Sequence, residues 1–470
     1  MSQSLTNFAQ QLDDSPITRP MWLLWFLSAS LIALDGFDFF IIGIALPFLK
    51  LDFALTATDT AMIAVSAIAG ALVGSLTLGA ITDKIGRQKM LLIDVFLLIS
   101  ASVACALSPN TTFLIISRFL VGVGIGADYP ISVAYITENV PSRHRGRMVI
   151  GAFAFQAIGT VVGALIGIIV INYFQSAYPK TPIFAVHYAW RIMLAMGALF
   201  GILVGILRLK FLLESPFYHI NRGEYKKASQ SASILLEKEV ILTAETEPIK
   251  DQEVLNYGAL FSSKYRINTL FASLPWFLQD IATYGIGIFT PAIITFLALN
   301  NESDFLVQQI KSAQGAIVVD SFLVLGFILA ILLINKLGRI FLQVTGFVGM
   351  AVGLSLLGIS SFFPAQSVSN IGLILGGFFL FNLFMNGGPN STTFLLSGEV
   401  FPSSIRASGA GFAGAIAKAG AILGAYLLPS IQEEIGVSNV LFILSICCIL
   451  GAIMTYVLSQ KLIFFNPSDK

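Results

Sequence analysis

Charge is what this sequence has least of. Asp, Glu, Lys and Arg make up 11% of its 470 residues, where a soluble domain carries about 25%, so a water-soluble globule is excluded. Hydrophobic residues make up 56% of the chain, whose mean hydropathy is +0.84, the composition of a chain that crosses a bilayer many times. A net charge of +1 supports neither a nucleic-acid partner nor a strongly charged one. Cysteine is scarce: Cys105, Cys447 and Cys448 lie inside apolar runs, so neither a disulfide framework nor a metal cluster is expected, and no cofactor is implied. The three histidines, His144, His187 and His219, lie outside the apolar runs or at the edge of one, so a membrane-embedded enzyme has no nucleophile–base pair to work with. The first twenty residues lack the basic n-region and short apolar core of a cleaved signal peptide.

What the chain has in abundance is apolar length. About 20 residues span the hydrocarbon core, and twelve runs qualify: near 21–49, 60–82, 89–108, 112–138, 148–172 and 188–208, then near 269–299, 312–335, 340–363, 370–396, 404–429 and 438–464. The organisation expected is a polar terminus (1–20), a six-helix bundle (21–208), a linker (209–266), a second six-helix bundle (267–464) and a tail (465–470). This is an all-α membrane protein of twelve transmembrane helices. Within the linker, "NRGEYKKASQSASILLEKE" has helical periodicity and predicts short surface helices.

Basic residues orient the spans. With the N-terminus inside, 21 Lys and Arg fall on the cytoplasmic side, nine of them from Arg208 to Arg266, and only Lys50, Lys180 and Lys311 fall outside. Both termini and the linker are therefore expected in the cytoplasm of a cell (plasma or inner) membrane. The halves also repeat. "TENVPSRHRG" and "SGEVFPSSIRASG" align Glu138, Pro141 and Arg145 with Glu399, Pro402 and Arg406, and "ITDKIGRQK" resembles "LINKLGRIF". Parallel six-span repeats mark a transporter whose two bundles rock about a central site.

Two charges are out of place in this pattern. Asp280 lies in "WFLQDIATYGIGIF" and Lys418 in "GAIAKAGAILGAY". A charge at the bilayer centre costs about 2.5–3.5 kcal/mol on insertion scales, so each is a functional candidate. A structural carboxylate and a snorkelling lysine are the alternatives. Opposite charges near mid-depth on different spans point instead to one shared polar cavity. Trp276, Asp280 and Tyr284, at i, i+4 and i+8, occupy one helical face.

"GAITDKIGRQK", "RFLVGVGIG" and "FLLESPFYH" resemble signatures of the major facilitator superfamily, which implies its fold. "GIGADYPISVAYITE", "WFLQDIATYGIGIFTPAI", "FNLFMNGGPNSTTFLLSGEVFP" and "GAGFAGAIAKAGAILGAYLLP" resemble the superfamily's phosphate:proton symporter branch. The resemblance covers nearly the whole chain apart from its termini and linker. It implies proton-coupled symport of inorganic phosphate by alternating access, with a small anion, protons and lipid as the partners of a monomer.

Residue by residue, the resemblance implies a phosphate site formed by Tyr129, Gln156, Trp276, Asp280, Tyr284, Asn390 and Lys418. Those types suit a tetrahedral oxyanion: an ammonium, phenol and indole hydrogens, and amide NH₂ groups. Asp280 accepts a hydrogen bond from a protonated phosphate and donates one when itself protonated, a route to coupling. Proton carriers are sought among Asp35, Asp38, Asp94 and Asp128, with Asp38 favoured in span one. Asp94, five residues beyond Lys89, has an ion pair with that basic loop as its alternative. Asp320 matches nothing in the branch. Arg118 is expected to orient span four and Arg191 to anchor span six.

Asp83, Arg87, Glu138, Arg145, Glu399 and Arg406, at cytoplasmic span ends, are expected to latch the bundles. The latch is expected to be weaker in the second half, where Asn335 and Ile340 replace an acid and a base. The "DGFD" acid pair also resembles aromatic-acid and organic-anion symporters. A proton-coupled carrier of an organic anion, a sugar or another metabolite is therefore the competing function.

Overall fold

The computed structural model describes residues 3–85, 87–179, 181–243, 257–299, 304–364, 367–401 and 405–462, and every regular element among them is helical. A short helix α1 (Gln3–Asp13) precedes six long ones: α2 (Arg19–Asp52), α3 (Ala57–Ile85), α4 (Arg87–Ala106), α5 (Thr111–Asn139), α6 (Ser142–Ala177) and α7 (Pro182–Phe211). Two small helices follow, α8 (Pro216–Asn221) and α9 (Tyr225–Leu236). The second half holds α10 (Arg266–Gly287), α11 (Thr290–Ala298), α12 (Phe305–Leu337) and α13 (Arg339–Ser360). It ends with α14 (Val368–Gly387), α15 (Pro389–Glu399), α16 (Arg406–Ile435) and α17 (Val437–Ser459).

These are twelve spans, two of them broken. α10 and α11 meet at a 58° bend. Pro291 opens α11, and its missing N–H cannot continue the preceding helix. α14 gives way to α15 at Gly388, with Pro389 at the first helical position. Ten helices or joined helices meet the length and hydropathy needed to cross a membrane, the α10–α11 pair adds an eleventh, and the 30-residue α16 fills the remaining place. The helices outrun the apolar runs: α6 starts at Ser142 rather than 148, α7 at Pro182 rather than 188, and α7 continues into the expected linker as far as Phe211. Helix starts follow their caps. The Thr18 side chain accepts from the Met21 N–H with Pro20 in the first turn, and Asn110 and Asp304 accept from Phe113 and Val307.

The repeat in sequence is a repeat in packing. α3 lies on α5, α2 on α6 and α4 on α7; α12 on α14, α10 on α16 and α13 on α17 reproduce those pairings. Across the seam α3 packs on α16 and α6 on α12, again a matched pair. The outer face is apolar, with Phe96 72% exposed and Leu209 70% exposed, as a surface solvated by lipid requires.

The end of the molecule that carries the linker has a third layer. α1 buries Phe8 and Leu12, and α9 buries Ala228, Ala232 and Leu235, against the ends of the first bundle. Thr18 donates to the Leu235 carbonyl at 2.6 Å, and Asp13 accepts the Ser142 N–H at 2.7 Å where α6 begins. The expected surface helices are there, and the N-terminal segment joins them as a helix of its own.

Candidate functional site

Glycine places the two out-of-place charges together. A Cβ on Gly420 would stand 2.3 Å from the Phe277 carbonyl oxygen, and one on Gly424 2.1 Å from that of Ile281. Only glycine permits this approach, and the small-xxx-small pairing lets the α10 and α16 backbones touch. One turn away, Lys418 Nζ lies 3.2 Å from Asp280 Oδ2 and donates to the Tyr284 hydroxyl at 2.9 Å. The ammonium also stands 4.5 Å from the centre of the Tyr284 ring. Asp280 is 2% exposed. Lys418 does not snorkel out to an interface, and Asp280 pairs with its ammonium rather than with a neighbouring hydroxyl.

Beside this pair runs a ladder of uncharged polar groups. Gln279, fully buried, donates to Thr283 Oγ1 at 2.9 Å and to Asn390 Oδ1 at 3.3 Å. Asn390 donates to Asn386 Oδ1 at 2.7 Å, and Thr393 donates to Gln279 Oε1 at 3.4 Å. Asn386 and Asn382 in turn donate to the Leu323 and Val319 carbonyls of α12. Such polar groups at membrane depth persist only where they are bonded or line a cavity.

The first bundle buries four carboxyls, of which Asp35 lies within Coulombic reach of Tyr284. Arg118, fully buried, donates to the Asp38 carbonyl at 3.1 Å, so it ties α5 to α2 as expected. Asp128 accepts from Ser132 at 2.9 Å and lies 3.6 Å from the guanidinium of Arg208. Asp35 and Asp94, each 0% exposed, lie within Coulombic reach of Asp128 and Arg208. Asp94 thus turns to the interior and not to Lys89, which removes the loop ion pair proposed for it. Tyr284 bridges the halves: its ring meets Phe39 of α2 edge-on at 5.6 Å.

The seam is tight on both sides of these groups. Away from the linker, a Cβ on Gly43 would stand 2.0 Å from the Ile288 carbonyl oxygen, and Phe48 meets Phe305 at 5.1 Å. Towards the linker, Phe153 of α6 meets Phe394 of α15 at 4.3 Å, and Trp276 meets Phe394 at 5.8 Å. The arrangement is a charged, polar centre between two apolar closures.

A family model described as "Sugar (and other) transporter" matches residues 24–462. The chain belongs to that family. The chain is 31% identical to the probable inorganic phosphate transporter 1-12 of Oryza sativa subsp. japonica, over 83% of this chain and 79% of that protein. It is 30% identical to the low affinity inorganic phosphate transporter 3 of Petunia hybrida, over 84% and 80%. The xylose transporter XylE from E. coli, in a partially occluded inward-open conformation, superposes with a TM-score of 0.75 at 19% identity, covering 94% of this chain and 98% of that one. That likeness establishes the major facilitator fold. The transporter is a multi-pass membrane protein that handles a small molecule.

In this transporter Asp280, Tyr284 and Lys418 come into direct contact, and Trp276 stands beside them, its ring 3.8 Å from the place a Cβ on Gly414 would take. Gln156 is half-buried on α6, with its backbone against Gly36 of α2. Asn390 is held at one remove by Gln279 and Asn386. The side chains of Tyr129, Asp83, Arg87 and Arg406 lie outside the described residues. Sequence reasoning missed Gln279, Asn386 and Thr393, whose signal was polarity inside an apolar run. It also placed Arg208 among the linker bases, whereas the side chain is fully buried and donates to the Leu27 and Leu91 carbonyls.

The described contacts of the expected latch residues lie within one half or the other. Arg339 reaches Glu399 at 2.5 and 2.6 Å, so an acid–base pair is present in the second half although Asn335 and Ile340 stand in its loop motif. Arg145 stands 3.9 Å from Asp13 of α1 and donates to the Val140 carbonyl. Glu138 is half-buried at the end of α5. Arg191 anchors as expected, donating to the Ala106 and Ser108 carbonyls and lying 4.1 Å over Trp190. Glu214 of "FLLESPFYH" accepts the Gln88 N–H at 3.1 Å and so caps α4.

Proposed function

We propose that this transporter carries inorganic phosphate into the cell together with protons, by alternating access of the site between the bundles. The observation that carries the reading is the Lys418 ammonium, held deep in the second bundle by Asp280 and Tyr284. A neutral sugar needs no buried cation, whereas an oxyanion does. The printed names of the relatives point the same way. Bound phosphate takes hydrogen bonds from Lys418, Tyr284, Trp276, Tyr129 and the amides of Asn390 and Gln156. Asp280 accepts from the protonated oxygen of the anion. Asp38, Asp35, Asp94 and Asp128 carry the protons that accompany it. The termini and linker face the cytoplasm, in line with the basic-residue asymmetry, and the transporting unit is a monomer. Asp83 with Arg87, and Glu138 and Glu399 with Arg145 and Arg406, hold the cytoplasmic loops in the state with this end shut.

Purified protein in proteoliposomes with an imposed inward proton gradient tests this. Labelled phosphate should accumulate, and unlabelled arsenate should compete while sulfate, benzoate and glucose do not. Competition by benzoate without phosphate uptake would establish the organic-anion reading that the Asp35–Asp38 pair keeps open. Competition by glucose alone would establish a sugar carrier.

A further inference from the structure

We propose that Arg208 is the positioning residue for proton coupling: a buried guanidinium that fixes how many of Asp35, Asp94 and Asp128 are ionised together. The proposal rests on the proton-coupled reading above and adds a residue that none of the site motifs contains.

Arg208 comes from the last two turns of α7, yet it is 0% exposed. Its Nε and one terminal nitrogen donate to the Leu27 carbonyl of α2 at 3.2 and 3.0 Å, and the other to the Leu91 carbonyl of α4 at 3.3 Å. Those bonds fix the charge in place between three helices. One carboxylate, Asp128, lies 3.6 Å away. Both oxygens of Asp35, both of Asp94 and one of Asp128 are buried with no hydrogen-bond partner among the described residues. A cluster of three carboxyls facing one guanidinium has a definite charge logic. Guanidinium stays charged in proteins, and one such group compensates one carboxylate. Ionising a second leaves a bare charge in a dry interior, which buried groups avoid by holding a proton. Two protons are thus kept in the cluster while the helices stay packed as here, and release one by one as water or Tyr284 and Lys418 move.

Other charged groups do not supply the missing compensation. Asp38 on α2 lies within Coulombic reach of Arg118, which donates to its main-chain carbonyl, and of Asp35, to which it adds only negative charge. Tyr135 and Glu138 on α5 and Glu214 after α7 lie on the linker side of Arg208 and add only negative or neutral groups. Tyr284 on α10 reaches towards Asp35 from the second bundle, with Lys418 behind it.

Arg208→Gln removes the charge and the fork, and Arg208→Lys keeps the charge and loses the fork. Each is reconstituted in liposomes and read in two ways. The infrared C=O stretch of protonated carboxyls is followed through a pH titration, and labelled phosphate is followed in gradient-driven uptake and in exchange at equal pH. Arg208→Gln should hold about one more protonated carboxyl at neutral pH, lose gradient-driven uptake by about tenfold or more, and retain exchange. Arg208→Lys should titrate and accumulate close to wild type. An infrared titration and uptake unchanged in Arg208→Gln overturn the proposal. So does equal failure of both variants, in folding or in transport, since both lack the bonds to Leu27 and Leu91 and the role would then be bracing. If wild type accumulates no phosphate, the substrate reading falls, while the infrared arm still decides the role of Arg208.

Discussion

Asp280→Asn keeps the side chain's shape and hydrogen bonding while removing its charge, whereas Asp280→Glu keeps the charge and moves it by one methylene. If Asp280 links anion binding to protonation, Asp280→Asn binds phosphate with little pH dependence but does not accumulate it, and Asp280→Glu retains part of the coupled uptake. A purely structural acceptor gives the reverse ranking, so binding and pH-driven uptake measured in both variants decide between them. Lys418→Ala removes the charge that meets the anion. A hydrogen bond to a charged group contributes about 1.5–3 kcal/mol, so phosphate affinity should fall roughly ten- to a hundredfold while the purified protein still folds. Normal transport by Lys418→Ala would remove the site from this seam. Both residues were legible in sequence because a lone charge in a long apolar run is conspicuous. Arg208 was not: two residues before Lys210, it looks like the basic end of a span, and only the depth of α7 against α2 and α4 tells them apart. Gln279 was not either, since its role depends on which turn of α10 faces α15.

At the scale of helices, the α10–α16 contact sets the register on which Lys418 and Asp280 meet. Gly420→Val puts a branched side chain where 2.3 Å separates the Cβ position from a backbone oxygen, so the helices must part. Overpacking of this kind costs about 1–3 kcal/mol, and uptake should be lost along with a lowered melting temperature. Gly414→Ala, whose added methyl would meet the Trp276 ring at 3.8 Å, should leave both near wild type. Equal tolerance of the two would detach the site from this contact. The number of spans was readable from apolar length, because a membrane demands that length. The two breaks were not, since both arms of each broken span are apolar and count as one run. Pro291 and Gly388–Pro389 were the only marks of them, and proline within a membrane helix does not always break it.

For the whole molecule, closure on both sides of the site has a consequence that cross-links can check. Phe48→Cys with Phe305→Cys joins α2 to α12 away from the linker, and Phe153→Cys with Phe394→Cys joins α6 to α15 towards it. In a background lacking Cys105, Cys447 and Cys448, a short bifunctional thiol reagent on either pair should stop uptake, and a reductant-cleavable reagent should allow recovery. Uptake through either cross-linked form would exclude rocking of the bundles about the seam. The layer formed by α1, α8 and α9 bears on how such a molecule is made. The opening helix finds Phe217 beside Phe8 and the Leu235 carbonyl above Thr18, so its seat does not exist until the ribosome has delivered the chain to about Leu242. By then all of the first bundle has emerged, and none of the second has. Synthesis can therefore finish one half as a closed unit before the other begins, and a gene divided just after Thr243 should still yield two pieces that insert separately and pair.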